Sequence, residues 1–175
     1  MLVLNLGHNT ISSIPNYLFI NLTDLVYLDL SSNKLEMLPP QLRRLVHLKS
    51  LNLNNNPLLH AQLRQLPALV SLESLHLQNT QRTATNIPQG LENLHNLKDL
   101  DLSSNELAAM PESIYKIKSL RRLNFSQNCL TELQLNIGDM DELVTLNLSR
   151  NKLLALPVFD FLLFFLKLSS VIYIY

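Results

Sequence analysis

The sequence predicts an α/β solenoid, with a curved parallel sheet on its concave face and short helical or 3-10 elements on its convex face. Three observations favour this fold: one hexapeptide returns along the chain, the asparagine that ends it recurs at a nearly fixed step, and leucines keep fixed places around it. LDLSSN occurs at Leu28–Asn33 and again at Leu100–Asn105. A period of roughly 20 to 50 residues is typical of repeats that stack into a solenoid.

The repeat is defined by the steps between its asparagines. They are 24, 23, 24, 25, 23 and 23 residues long when Thr80 is given the asparagine place in LHLQNT. The surrounding template, LxxLxLxxNxL, is that of the leucine-rich repeat, so the predicted shape is a horseshoe. We assign 1–157 to about seven leucine-rich repeats, the first one incomplete, and 158–175 to a non-repeat hydrophobic tail.

The LxL part of each template predicts a short strand. Leu28 and Leu30 are two residues apart and point to one side of a strand, whereas Tyr27 and Asp29 point to the other side. Parallel stacking of such strands, about 4.8 Å apart, gives an inner wall of about seven strands. The leucines are therefore expected to form the core, and the variable residues the concave surface.

The recurring asparagine predicts a ladder of hydrogen bonds at the turn after each strand. A carboxamide both donates and accepts, so it can bond the backbone groups that the turn leaves without partners. Thr80 offers a single hydroxyl donor, so we expect local loosening there or a transfer of the role to Asn79. The predicted structural asparagine ladder consists of Asn9, Asn33, Asn56, Asn105, Asn128 and Asn151.

The convex elements are predicted from the residues that come after the turn. An apolar residue followed by proline occurs in five repeats, as in Leu38–Pro39. Apolar residues then recur at every third place, as in Leu42, Leu45 and Leu48. A period of three suits a 3-10 or helical turn, and proline is favoured at the start of such a turn.

Composition excludes several classes of partner. The 14 basic and 14 acidic residues are interspersed and give a net charge of zero, so neither nucleic acid nor an acidic membrane surface gains electrostatic attraction. Cys129 is the single cysteine and cannot form an internal disulfide, which favours a reducing compartment.

No catalytic or cofactor motif is found in the sequence. A Gly-rich phosphate loop, an HExxH pair and a nucleophile elbow are all missing, and the histidines show no metal-ligand spacing. Stacking would bring His76 beside Asp101, with Ser74 and Ser103 nearby. Such a group is catalytic only in a site that excludes water and stabilises an oxyanion, whereas these residues lie on an open wall. We therefore predict a non-enzymatic recognition surface that needs no cofactor.

The outward strand residues are the candidate partner-binding site. They are polar with few full charges, and Tyr27 and Arg122 are the expected anchors because aromatic and arginine side chains dominate interface energetics. Asp99 is expected to neutralise Arg122 on the next strand. The predicted concave-face binding residues are Tyr27, Asp29, Asn52, His76, Asp101, Arg122 and Asn124.

Both ends of the sequence depart from the template. Met1 opens within a repeat that no capping element precedes, so we expect the first core layer to be exposed. The tail VFDFLLFFLKLSSVIYIY has 18 residues and contains Asp160 and Lys167, whereas a membrane span needs about 20 apolar residues. We interpret this tail as an abnormal chain end rather than a membrane anchor. Its VIYIY segment is expected to promote aggregation.

The residues that depart from the template resemble those of a known family. The run RRLVHLKSLNLNNNPLLHAQLRQLPALVSLESLHLQNTQRT and the LPxxLxxL convex segments resemble intracellular leucine-rich-repeat proteins of the Ras-binding type, and more specifically the amino-terminal repeats of the flightless-I family. The resemblance extends from Met1 to about Pro157. NPLLHAQLRQLPA and NTQRT make it specific, because the leucines alone would match many proteins.

The resemblance implies a function that the repeat pattern alone does not. Members of that family join such repeats to gelsolin-like actin-binding domains, and they act in actin remodelling and as nuclear coregulators. It implies protein partners, including coiled-coil proteins and Ras-type GTPases, and a cytoplasmic, cytoskeleton-associated or nuclear location. Actin binding would need the gelsolin-like domains, which do not follow in this sequence. The alternative is a regulatory repeat array of a Ras-pathway scaffold or signalling enzyme.

Overall fold

Each predicted LxL segment lies in a strand of one parallel sheet. The structure is a computed structural model that describes residues 2–58, 60–83, 86–156 and 171–173. The strands are β1 Leu2–Asn5, β2 Leu25–Asp29, β3 Ser50–Asn52, β4 Ser74–His76, β5 Asp99–Asp101, β6 Arg122–Asn124, β7 Thr145–Asn147 and β8 Val171–Tyr173. They follow one another in sequence order, each parallel to the next. The predicted leucine-rich-repeat solenoid is confirmed.

The connections between strands contain the short elements that the period of three predicts. Two are single-turn α-helices, α1 Leu18–Asn21 and α2 Glu112–Tyr115. The 3-10 segments are Pro40–Arg44, His60–Ala68, Leu91–Asn93 and Leu135–Asp139. Pro39 and Pro111 directly precede Pro40–Arg44 and α2 in extended conformation, so each proline sets the entry into its turn.

The core is a stack of leucine layers. Leu28, Leu51, Leu75 and Leu100 pair in register on successive strands, and none of them is exposed to solvent. The same is true of the convex Leu42, Leu45 and Leu48, as the sequence predicts.

The core becomes thinner at its first layer. Leu4 and Leu6 are only partly buried, and Leu2 of β1, which pairs with the buried Leu25, is 45% exposed. The described residues therefore bear out the expectation of an exposed first layer.

β8 comes from the segment that the sequence assigns to the tail. Val171 pairs with Thr145 and Tyr173 with Asn147, and the backbone N–H of Leu148 donates to the Tyr173 carbonyl at 2.9 Å. The template predicts β1–β7, but it does not predict β8. Most of the predicted tail, residues 158–170 and 174–175, lies outside the described residues.

The template asparagines bond neighbouring repeats together. The Asn33 Nδ2 atom lies 2.9 Å from the Leu6 carbonyl of the preceding repeat and 3.0 Å from that of Leu30 in its own. Its Oδ1 accepts the backbone N–H of Ile11 at 2.9 Å. Asn56, Asn105, Asn128 and Asn151 make the same three kinds of bond. Asn9, in the first repeat, bonds only within its own turn.

The residue before each template asparagine, and before Thr80, has a left-handed backbone. Its φ angle lies between 51° and 57° in all seven turns, at His8, Ser32, Asn55, Asn79, Ser104, Gln127 and Arg150. A non-glycine residue there costs on the order of 1 kcal/mol, which the ladder bonds of the next residue offset.

The expected transfer of the ladder role from Thr80 to Asn79 is wrong. Asn79 does not take over the ladder role, because its side chain is exposed and donates to Asn55 Oδ1 at 3.0 Å. Thr80 is fully buried, and its hydroxyl donates to the Leu77 carbonyl at 2.7 Å, which is one of the three kinds of bond that the template asparagines make.

Arg82 adds buried donors to the turn that contains Thr80. Its guanidinium is fully buried and donates to the backbone carbonyls of Leu58 and Thr80, and its backbone N–H donates to Asn105 Oδ1 at 2.9 Å. Burial lowers the pKa of Arg82 to about 10, so the group stays charged at neutral pH. The guanidinium thus links two repeats at this turn, through other carbonyls than those that a template carboxamide bonds.

Candidate functional site

The outward side chains of β1–β7 form a continuous surface of two rows, called here the concave wall. All seven predicted partner-binding residues lie on it, in strands that pair in register from β2 to β6. The first row is Val3, Tyr27, Ser50, Ser74, Asp99, Arg122 and Thr145. The second row is Asn5, Asp29, Asn52, His76, Asp101, Asn124 and Asn147.

Most of the second row has a structural role that the sequence analysis missed. Asp29 Oδ1 accepts the backbone N–H of Ser31 at 2.8 Å, which closes the turn where the strand ends. The same bond to the residue two places ahead is made by Asn5, Asn52, Asp101, Asn124 and Asn147. The recurrence of Asn or Asp at six of these seven places is the signal that could have revealed it.

His76 is the exception in the second row. The N–H of Gln78, two residues ahead, donates instead to Asn54 Oδ1 of the preceding repeat at 2.7 Å. The imidazole therefore has no turn to close, and its Nε2 lies 2.8 Å from the Ser74 hydroxyl. His76 is thus a second-row side chain free of the structural role of its neighbours.

Two aspartate–asparagine pairs lie on the wall, three strands apart. Asp29 Oδ2 accepts the Asn52 side chain at 3.3 Å, and Asp101 Oδ2 accepts the Asn124 side chain at 3.2 Å. Tyr27 Oη also donates to Asp29 Oδ2, at 3.4 Å. Burial, followed by the charge of Asp29 and this hydrogen bond, raises the pKa of Tyr27, so its phenol remains a neutral donor at physiological pH.

The predicted neutralisation of Arg122 by Asp99 is confirmed. Arg122 Nε lies 2.8 Å from Asp99 Oδ2, and the two side chains are 61% and 24% exposed. An ion pair this open contributes little to stability because solvent screens it. It does, however, leave Arg122 oriented across β5 and accessible to a partner.

His76 and Asp101, which belong to the possible catalytic grouping, form hydrogen bonds with different partners. His76 contacts Ser74, whereas Asp101 accepts hydrogen bonds from the Ser103 backbone and the Asn124 side chain. The bonds to His76 and Asp101 thus do not form the relay that would orient an imidazole as a general base.

Neither a metal-binding cluster nor a membrane-spanning helix is found in the described part of the chain. Residues 2–58, 60–83, 86–156 and 171–173 hold no group of three or more His, Cys, Asp or Glu side chains placed to bind a metal ion. Within these same ranges, the helices are too short or too polar to cross a bilayer.

Comparisons with known proteins agree with the repeat architecture. Residues 1–58 match the family model described as leucine rich repeat. Over 112 residues the chain is 66% identical to the mouse protein flightless-1 homolog, an alignment that spans 64% of this chain and 9% of that protein. The chain thus covers less than a tenth of the length of this relative.

Solved structures show the same fold. A leucine-rich-repeat protein of Leptospira interrogans superposes with a TM-score of 0.78 at 29% identity, over 87% of this chain and 38% of that one. The Arabidopsis receptor kinase HAESA, solved in complex with the peptide hormone IDA and the co-receptor SERK1, superposes with a TM-score of 0.72 at 29% identity. That match covers 86% of this chain and 26% of the receptor chain.

Proposed function

Because the chain is a leucine-rich-repeat array similar in sequence to flightless-1 homologues, we propose that it is a non-catalytic protein-interaction module that binds partner proteins on its concave wall. The observation that supports this proposal is that the two sides of each strand differ. The leucines are fully buried, whereas the side chains between them form one accessible polar surface across β1–β7.

The wall has the composition of a recognition surface. Tyr27 and Arg122 lie near its two ends and supply the aromatic and guanidinium groups that most often anchor interfaces. His76 lies between them and is held by Ser74 rather than by a turn. These three side chains are the expected anchors, since each can be removed without taking away the bond that closes a strand.

The similarity to flightless-1 homologues supports a more specific role. We place the module in actin-cytoskeleton regulation and transcriptional coregulation, with coiled-coil proteins as partners and Ras-type GTPases as a second class. In this role the repeats recruit partners in the cytoplasm, at the cytoskeleton and in the nucleus, while contact with actin belongs to gelsolin-like domains. The 66% identity to the mouse homologue favours this role over that of a regulatory array in a signalling enzyme.

Site-specific crosslinking would test the position of the site. A photoreactive amino acid is placed either at Ser50 on the wall or at Lys116 on the convex side, and cell proteins crosslinked at each position are identified. Coiled-coil proteins are expected at Ser50 and not at Lys116. The same partners at both positions, or at Lys116 alone, would argue against a concave site.

Calorimetry with a partner identified in this way would test the anchors. Replacement of Tyr27, His76 and Arg122 together by Ala is expected to weaken binding by roughly 2–4 kcal/mol, because anchor residues carry most of the binding energy. The matched control is Lys116→Ala, an exposed convex substitution that removes only a surface ion pair with Glu112. Unchanged affinity of the triple variant would contradict the assignment.

A further inference from the structure

We propose that the concave wall selects a helical partner segment carrying basic side chains, one docking at Tyr27–Asp29 and a second at Asp101. This inference rests on the proposed function and deepens it by naming the chemistry of the partner. It follows from two features of the wall. One is the negative charge that remains after its ion pair is formed, and the other is that its strand backbones are already hydrogen-bonded to neighbouring strands.

The wall is acidic although the whole chain is neutral. Its charged groups are the three aspartates Asp29, Asp99 and Asp101 against the single arginine Arg122, whereas the chain has a formal net charge of zero. Arg122 is paired with Asp99 at 2.8 Å. The salt bridges within the described residues include neither Asp29 nor Asp101, so these two carboxylates keep a charge that no cation of the wall offsets.

The two carboxylates are held ready for a cation. Both are half-buried, and each is fixed by a backbone N–H on one oxygen and an asparagine amide on the other. A carboxylate oxygen has two lone pairs. Asp29 Oδ2 uses both, because it also accepts the Tyr27 hydroxyl, so Asp29 can accept a lysine or arginine N–H at Oδ1 and Asp101 at either oxygen. At Asp29, the Tyr27 ring lies on the same side of β2 and can stack on such a cation. Partial burial makes these charges stronger attractors than fully exposed ones.

The wall favours a helix over an extended peptide. The backbone groups of β2 to β6 already bond to both neighbouring strands, so they cannot add a partner strand to the sheet. A helix satisfies its own backbone and presents side chains alone. Three strand spacings separate Asp29 from Asp101, roughly 14 Å. At about 1.5 Å per residue, that distance lies between side chains seven and eleven residues apart on one helix face.

Designed peptides provide the test. The probe is an alanine- and glutamine-based helical peptide of about 20 residues with Lys at positions i, i+7 and i+11. It is compared with the same peptide carrying Glu at those positions, and with the Lys peptide interrupted by proline so that it cannot form a helix. Each is titrated against the full chain by fluorescence anisotropy at low and at high salt.

The expected result is selective, salt-sensitive binding. The helical Lys peptide should bind at least tenfold more tightly than the Glu peptide or the proline-interrupted peptide. The double change Asp29→Asn and Asp101→Asn should weaken that binding at least tenfold. Asn keeps the oxygen that closes each turn, so the fold is expected to persist, and an unchanged denaturation midpoint would verify it. The matched control Asp141→Asn removes an exposed carboxylate outside the wall and should change affinity less than twofold.

Several outcomes would overturn the inference: no binding of the helical Lys peptide at millimolar concentration, equal binding of the Glu peptide, or equal losses in the double variant and in Asp141→Asn. Equal binding of the proline-interrupted peptide would replace the helical partner with an extended one. If partners still crosslink at Ser50 in the double variant as they do in the parent, the proposed function stands and the basic specificity fails. If no partner crosslinks at Ser50 in the parent chain, both the proposed function and this inference are wrong.

Discussion

At the scale of single residues, Arg82 shows how a repeat tolerates a lost consensus residue. Arg82 bonds other carbonyls at this turn than those that a template carboxamide bonds, and it still links two repeats. Burying a guanidinium without a carboxylate is costly, and the lowered pKa of Arg82 reflects this cost. Three backbone carbonyls, those of Leu58, Thr80 and Asn86, receive its N–H groups and keep the charge in place.

Arg82→Met is therefore expected to lower the free energy of unfolding by about 2 kcal/mol. Loss of the guanidinium leaves buried carbonyls without donors, and removal of the buried charge recovers only part of that cost. Adding Thr80→Asn to this variant should recover stability, because a carboxamide can then bond the turn as it does at Asn56. Urea denaturation of the single and double variants measures both effects. Stability of Arg82→Met equal to that of the parent would show that desolvation of the charge outweighs its hydrogen bonds.

At the scale of elements, α2 is joined to the following repeat by one buried phenol. Tyr115 is 3% exposed, and its hydroxyl oxygen accepts the backbone N–H of Gln134, which precedes the 3-10 segment Leu135–Asp139. Burial raises the pKa of Tyr115 above its usual value of 10.0; the hydrogen bond from Gln134 opposes this effect, and the charge of Glu132 adds to it. The convex layer thus has a titratable contact between two consecutive elements.

This contact predicts a loss of stability in alkaline solution. Tyr115 holds its proton more tightly in the folded chain than in the unfolded one. Its contribution is therefore complete below pH 10 and is lost as the pH rises through the folded pKa. Denaturation midpoints measured from pH 8 to 11 should fall less steeply in Tyr115→Phe than in the parent. Tyr17→Phe, at a tyrosine that is 67% exposed, is the control and should leave the slope unchanged. The same slope in all three proteins would assign the alkaline transition to another group.

At the scale of the whole molecule, stability depends on how the ends of the stack are covered. Each repeat buries its leucines only against its neighbours, so an uncovered end exposes a layer of core. At one end Leu2 is exposed and Leu4 and Leu6 are only partly buried. At the other end β8 pairs with β7 and bonds the backbone of Leu148.

The pairing of β8 reverses an expectation drawn from the sequence. The aromatic and β-branched residues of VIYIY suggest that removal of residues 158–175 would improve solubility. Because Val171–Tyr173 covers the edge of β7, we expect removal to expose that edge and to increase aggregation. Sedimentation of the parent and the shortened chain at equal concentrations measures the change. A smaller aggregated fraction in the shortened chain would support the original expectation.

The sequence by itself determined the class of fold, the seven template strands and the inward leucines. The period of 23 to 25 residues and the two-residue alternation are local patterns that recur in each repeat. Tertiary structure decided the points at which one repeat acts on another. The guanidinium of Arg82 meets carbonyls from two repeats, Asp29 and Asp101 accept asparagine amides from the next strand, and β8 pairs with β7 although its segment lacks the template. Such contacts depend on where a side chain or a distant segment arrives in space, and a pattern of spacing along the chain does not contain that position.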